Sequence, residues 1–295
     1  MTISAQPFVA AHSREDASVN WVREVDVGRL EARYVRRVDD YVVVYLSSQT
    51  GCRQACRMCH LTATKQVRLR DATVPELLEQ ADTVLAHYHA ETARAQQVHY
   101  NFMARGEPLA SEVLLEHADE VLGGLADRAV ALQLRPRFLV STILPKALGE
   151  RALEDVFVRH HPELYYSIYS MDDDFRRRWL PNALPPGEAL DRLASWQRQT
   201  YKLFKLHYAF VAGENDSEAQ VHAVCDAVEA RRLLVHVNIV RYNPPTADHG
   251  AEPPEEIVHR NAAIFAARLP HARVRVIPRV GFDVQASCGM FVAPT

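Results

Sequence analysis

The 295-residue sequence has no uninterrupted apolar run long enough to cross a bilayer, and its opening residues Met1-Thr2-Ile3-Ser4-Ala5-Gln6-Pro7 lack the basic start and apolar stretch of an export signal. It has no internal repeat and no low-complexity tract. Charge of one sign is also lacking. Thirty-four Lys plus Arg stand against 37 Asp plus Glu, a net charge of -3, so no global basic field marks the chain for nucleic acid, although a local basic surface stays open. The five cysteines, Cys52, Cys56, Cys59, Cys225 and Cys288, are odd in number with three crowded together, which argues against a disulfide framework and for the reducing cytoplasm. What is present, 48% hydrophobic and 24% charged residues, suits one large α/β domain or two smaller ones.

The crowded cysteines lie in Ser47-Ser48-Gln49-Thr50-Gly51-Cys52-Arg53-Gln54-Ala55-Cys56-Arg57-Met58-Cys59-His60. Their C-x3-C-x2-C spacing supplies three thiolates on one tight loop, enough to hold three irons of a [4Fe–4S] cluster while the fourth iron stays open to bind and reduce something. From spacing alone a structural zinc site with His60 as fourth ligand is the alternative, though adjacent Cys59 and His60 are poorly placed to face one tetrahedral centre. Packing in an apolar core is the third reading, and Arg53, Gln54 and Arg57 between the thiols speak against it. Cys225, at helical spacing among small apolar residues, reads as a packing cysteine.

Strand-like runs alternate with helical patterns along the chain. Tyr41 to Leu46 precedes the cysteine loop, and Thr73-Val74-Pro75-Glu76 is a capping box that opens a helix with an apolar stripe from Leu77 to Tyr88. Further strands are expected at Val98 to Met103, Arg137 to Ser141, Glu163 to Tyr169, Phe204 to Ala212, Leu234 to Val240 and Val274 to Ile277. Helices are expected at Ser111 to Leu125, from Pro145, at Gly187 to Thr200, from a Ser217 cap to about Arg231, and from Pro254. This alternation predicts an α/β fold, a full or partial (β/α) barrel with its site at the C-terminal strand ends; an open doubly wound sheet is the second choice. Residues 1–20 read as a short lead-in and 21–295 as the barrel domain.

Polar motifs follow the predicted strands. After the second comes Met103-Ala104-Arg105-Gly106-Glu107-Pro108, where a glycine admits close approach of a ligand and the carboxylate accepts hydrogen bonds from an amino group. Ser141-Thr142, Ser167-Ile168-Tyr169 and Tyr242-Asn243-Pro244-Pro245 occupy similar places, and each alone reads equally as an ordinary strand end. Near the C-terminus, Gln285-Ala286-Ser287-Cys288-Gly289-Met290 sets a lone cysteine beside a glycine.

Taken in order, these motifs resemble those of the RlmN/Cfr family, radical S-adenosylmethionine (SAM) enzymes that methylate adenine carbons in RNA. The resemblance runs from about Leu30 to Gly289 and includes Ser47-Ser48-Gln49 before Gly51-Cys52, Gly106-Glu107-Pro108-Leu109, Val140-Ser141-Thr142, Val237-Asn238, Asn243-Pro244 and Ala286-Ser287-Cys288-Gly289. It implies that Cys52, Cys56 and Cys59 ligate a [4Fe–4S] cluster whose open iron SAM chelates. Gly106, Glu107, Ser141, Ser167, Ile168, Tyr169 and Asn243 would contact SAM. Cys288 would accept a methyl group from a first SAM, and a radical made from a second SAM would activate that methyl for addition to an aromatic carbon. Reductive cleavage of SAM implies an electron donor such as flavodoxin or ferredoxin, and Glu31 falls close to the family's proton acceptor.

The departures concern the RNA half of the family pattern. The family carries a second cysteine seven residues before the first cluster cysteine, which resolves the covalent adduct through a disulfide; Tyr45 stands there in this chain. Ile168-Tyr169-Ser170 replaces a Leu-His-Ala, Ala104-Arg105 replaces a Gly-Met, and the N-terminal accessory domain and basic tail are expected to be missing. The expected activity is therefore methyl transfer from SAM through Cys288 to an sp2 carbon of RNA or of a smaller nucleotide-like or aromatic substrate. The alternative is a radical SAM enzyme performing a non-methylating hydrogen abstraction or rearrangement. Arg33, Arg36, Arg37, Lys65, Arg68, Arg70 and Arg176-Arg177-Arg178 are the candidate phosphate contacts should RNA bind.

Overall fold

A computed structural model describes residues 6–293. Ten strands form one sheet in sequence order: β1 (Val9–His12), β2 (Val19–Glu24), β3 (Arg29–Val38), β4 (Tyr41–Tyr45), β5 (Gln97–Phe102), β6 (Arg135–Thr142), β7 (Glu163–Ser167), β8 (Phe204–Tyr208), β9 (Val235–Val240) and β10 (Val274–Ile277). Neighbours from β1 to β4 are antiparallel and those from β4 to β10 parallel. Parallel neighbours need a crossover. The long ones are α2 (Val74–Ala90), α3 (Glu112–Ala131), α6 (Pro186–Thr200), α7 (Glu218–Ala230) and α8 (Glu255–Arg268), with short α1 (His60–Ala63), α4 (Leu153–Val156) and α5 (Asp173–Trp179) in the loops. This is the (β/α) barrel expected, in partial form. No helix among the described residues is long and apolar enough to cross a membrane.

Period-2 alternation divides the strands between two faces. Val42, Val44, Val98, Tyr100, Leu206, Tyr208, Val235 and Val237 belong to the main core, together with Leu77, Ala81 and Val84 of α2 and Val221, Val224 and Cys225 of α7. Each such fully buried large side chain contributes about 1.5–3 kcal/mol. The Thr73 capping box forms as expected, with Glu76 N donating to Thr73 Oγ1 and Thr73 N to Glu76 Oε2, and Ser217 caps α7.

Several elements differ from expectation. The described part of the expected lead-in contributes β1 and the start of β2, because a C-terminal segment bonds to it: Ser13 Oγ and Arg14 N donate to Asp283, and Gly281 N donates to Asp16 at 2.7 Å. The helix expected from Pro145 is a single 3-10 turn, Lys146–Leu148, stopped by Gly149 at φ 60°, before α4. β8 ends at Tyr208 because Asn215 organises the next loop, accepting from Val211 N at 2.7 Å and donating to Ala209 O and Tyr169 O. β2, β3 and α5 were not among the expected elements.

The sheet edges β1 and β10 do not pair with each other. The segment from Val280 to Ala293 spans that seam: Asn20 Nδ2 donates to Val284 O at 3.0 Å, Arg33 Nη2 to Met290 O at 2.7 Å, and Val292 N to Glu31 Oε1 at 3.1 Å. Cys288 rides on this strap.

Candidate active site

Everything placed at the C-terminal end of the barrel depends on how tightly two loops interlock. Gly106 adopts φ 94°, and a Cβ there would stand 2.7 Å from Ser48 Oγ and from Gln49 Cβ, so glycine alone fits. Ser48 N donates to Arg105 O at 2.9 Å, and Glu107 N donates to Gln49 Oε1 at 3.1 Å. Gly51 is equally confined, its missing Cβ only 2.5 Å from Arg68 O. The Ser-Ser-Gln and Gly-Glu-Pro motifs are thus the two halves of one joint that fixes the cysteine loop against the strand ends.

Within that loop Ala55 lies at φ 55° and Cys59 N donates to Cys56 O, which turns the backbone tightly between the cysteines. Burial pushes the Cys52 thiol up to about 12, with a further push from Cys59. Cys56 is raised well above its ordinary range by burial and then by Cys52 and Cys59, and burial raises Cys59. No group of three or more His, Cys, Asp or Glu side chains stands close enough to share a metal ion among the described residues. The donor set nevertheless fits an iron–sulfur cluster. Three partly buried thiols on one loop would ionise together only beside a strong positive charge, which coordination to a metal would supply.

Glu107 is 5% exposed and has no basic partner among its bonds. Its carboxyl accepts from Thr142 Oγ1 at 2.5 Å, Ile143 N at 3.1 Å and Leu109 N at 3.2 Å. Burial raises it to about 7 despite those three donors. A desolvated carboxylate beside the cysteine loop, held by neutral donors alone, is suited to a cationic ligand such as an ammonium group.

A small apolar cluster covers this end of the barrel. It contains Ile143, Tyr169, Phe175, Trp179, Val240 and Tyr242, with Cys56, Met58 and Cys288 packed against it. Tyr169, at φ 51°, is held by Ser167, and burial raises its phenol, with a further push from Cys288. Asn243 Nδ2 donates to Cys288 O at 2.9 Å and to Ser287 Oγ at 3.2 Å. His60 N donates to Gly289 O at 3.1 Å. The structure therefore brings Cys56, Tyr169, Asn243 and Cys288 together. Burial raises the Cys288 thiol to about 11 against the pull of Arg33.

Other expected site residues lie elsewhere. The Ile168 side chain is fully buried in the main core and its carbonyl accepts from Arg176 Nη1 at 2.6 Å, so it faces the helices. Ser141 Oγ donates to Asn101 Oδ1 at 3.3 Å on the concave face. Glu31 is 0% exposed and doubly paired, to Arg33 Nη2 at 2.8 Å and Arg105 Nη1 at 2.7 Å. Burial raises its carboxyl, but the two guanidiniums outweigh that and hold it below the usual carboxylate range. Among the candidate phosphate contacts, Arg36 pairs with Glu91, Arg70 with Asp26 and Glu76, Arg177 with Asp174 and Arg178 with Glu214, while Arg176 is buried. The local basic surface is largely neutralised.

A cavity of about 940 Å³ occupies the concave face, lined by alternate residues of β4 to β10 and reaching Tyr45, Met103 and Cys288 at one end. Sequence reasoning missed it. The signal was the polar alternation in His99-x-Asn101, Lys205-x-His207 and His236-x-Asn238, in strands that a filled barrel would make apolar throughout.

No protein-family model matches the chain. A probable dual-specificity RNA methyltransferase RlmN of Synechococcus sp. is 30% identical over 262 residues, covering 85% of this chain and 69% of that protein. One from Thermus thermophilus is 28% identical over 293 residues, covering 97% and 78%. Among solved structures, a radical SAM methyltransferase from Sphaerobacter thermophilus superimposes with a TM-score of 0.78 at 23% identity, over 98% of this chain and 82% of that one. HydG, a maturase of the [FeFe]-hydrogenase, gives 0.59 at 10% identity over 85% and 55%. The fold is the partial (β/α) barrel of radical SAM proteins. Within them, the chain belongs to the RlmN-related family.

Proposed function

We propose that residues 21–295 act as a single radical SAM domain that transfers a methyl group to an sp2 carbon, with Cys288 as the carrier. The observation that carries this reading is the convergence of the cysteine loop, Tyr169 and Cys288 on one apolar cluster, beside a buried carboxylate that lacks a cation. Cys52, Cys56 and Cys59 would hold the [4Fe–4S] cluster, and Glu107 the SAM ammonium. Cluster and SAM together would supply one-electron cleavage of a sulfonium carbon–sulfur bond, with electrons from a flavodoxin- or ferredoxin-like donor. The chain's own part is to orient and to exclude water. Asn243 fixes the Cys288 backbone through the Cys288 carbonyl, and Tyr169, Trp179 and Tyr242 dry the space around the thiol.

A second reading, hydrogen abstraction or rearrangement without methyl transfer, is favoured by Tyr45. Its phenol accepts from Arg37 Nη2 at 3.3 Å and lines the same cavity as Cys288, where a thiol able to release a covalent adduct would be needed. Anaerobic turnover with methyl-labelled SAM separates the two. The reconstituted protein is expected to bind about four irons and four sulfides, to carry label on Cys288 by peptide mass spectrometry, and to accumulate a crosslinked enzyme–substrate species. Cys288→Ala should cleave SAM yet transfer no label. An unlabelled Cys288 in enzyme that turns over would favour the second reading, and zinc without sulfide in active protein would remove both.

A further inference from the structure

We propose that the barrel interior binds a small substrate carrying an anionic group, a phosphate ester or a carboxylate, held by Arg37, Arg137, Lys205 and Arg275 with its reacting carbon toward Cys288. This rests on the reading of Cys288 as the group that faces substrate. The interior of a (β/α) barrel is ordinarily filled by layers of branched aliphatic side chains. Here polar residues stand near the strand starts: His99 is third in β5, Arg137 third in β6, Glu163 first in β7, Lys205 second in β8 and Arg275 second in β10. Nine Lys and Arg side chains line the cavity against one carboxylate, Glu163.

Three of the nine are discharged on other acids, Arg33 on Glu31, and Arg241 and Arg279 on Glu252. Arg137 and Lys205 share Glu163, and Lys205 Nζ also donates to Tyr165 at 2.6 Å. Arg37 and Arg275 pair with no carboxylate among the described residues. Arg37 and Lys205 are partly buried, the Arg137 side chain is 41% exposed and Arg275 faces solvent at the cavity wall; like charges gathered on one wall repel, and an anion among them offsets the repulsion. Three buried nitrogens in this wall have no partner among the described residues, Arg33 Nε, Arg37 Nε and His99 Nε2. His99 stacks on Tyr41 with centroids 4.2 Å apart and planes at 12°, a shelf for a flat group. Burial lowers His99 to about 4 and His207 to about 3, so at neutral pH both serve as hydrogen-bonding groups and the fixed charge comes from the arginines and lysines. The volume lies near the upper end of small-molecule pockets, which run to about 1,000 Å³.

Isothermal titration of the full chain with pyrophosphate and with citrate, against adenosine as the uncharged control and a short RNA oligonucleotide, tests the proposal. One of the two anions should bind one to one, and which of them binds tighter tells phosphate from carboxylate. Arg275→Gln and Lys205→Gln should each weaken that binding about tenfold or more, with circular dichroism unchanged. Arg275 has no side-chain partner among the described residues, so Arg275→Gln keeps the test open if the Lys205 variant misfolds. Absence of binding by both anions, affinity unchanged in the variants, or binding of RNA alone overturns the proposal. Because this titration needs neither cluster nor SAM, failure of methyl transfer through Cys288 leaves its outcome standing, and the reverse.

Discussion

Glu31→Ala is expected to unfold far more easily than the parent chain. The carboxylate lies between Arg33 and Arg105, 2% and 1% exposed, and its removal leaves two guanidiniums buried without a counter-charge. Breaking a buried pair from one side costs on the order of 3–5 kcal/mol. Denaturant unfolding of the apo protein measures this directly. The same carboxyl accepts from Val292 N, and Arg33 reaches Met290 O and Ser287 O, so the strap that carries Cys288 loses its anchor as well. Alkylation of Cys288 should therefore quicken in Glu31→Gln, which keeps the shape but not the charge. Stability within about 0.5 kcal/mol of the parent, the range of an ordinary surface substitution, together with lost activity, would instead make Glu31 a base and remove it as an anchor.

Glu107→Gln should separate two effects. In the folded chain the carboxyl takes up its proton near pH 7, while the unfolded chain does so near 4.5. Between those values the folded state holds the extra proton, so Glu107 contributes stability that is fully present below pH 4.5 and is lost as pH rises through about 7. The loss by pH 8 is on the order of 3 kcal/mol. The parent apo protein should thus be less stable at pH 8 than at pH 5 by an amount that Glu107→Gln abolishes. SAM binding should move the opposite way, weaker in the variant by about 1.5–3 kcal/mol, as befits a lost charge-assisted hydrogen bond. Equal SAM affinity in both proteins would take Glu107 out of the ligand site.

The fold class was legible because buried parallel strands and amphipathic helices have different periods, and because caps such as Thr73 and Ser217 act locally. The antiparallel start, β1 and β2, was not. Its order comes from contacts with residues more than 250 positions away, such as Asp16 with Gly281, and no local pattern announces them. At the site, Gly106 and the cysteine loop were readable because their shapes admit so few residues. Glu31 was legible only through its likeness to the family's proton acceptor; its pairing was not, because only folding sets Arg33 and Arg105 around it. Arg176 shows the converse. Its place in a run of arginines suggested surface charge, yet it is buried, bonded to the carbonyls of Ile168 and Leu184, and bridges the loops at either end of α5.

The strap across the seam couples two requirements that most pockets meet separately. Its residues follow β10, cross the seam between the sheet edges and bond to β2 and β3, and its thiol lines the cavity. Swinging the strap off β3 would open the interior sideways and in the same movement carry Cys288 out of line with Tyr169 and the cysteine loop. Opening by this route and alignment of the thiol would therefore exclude each other, because both depend on the position of a single segment.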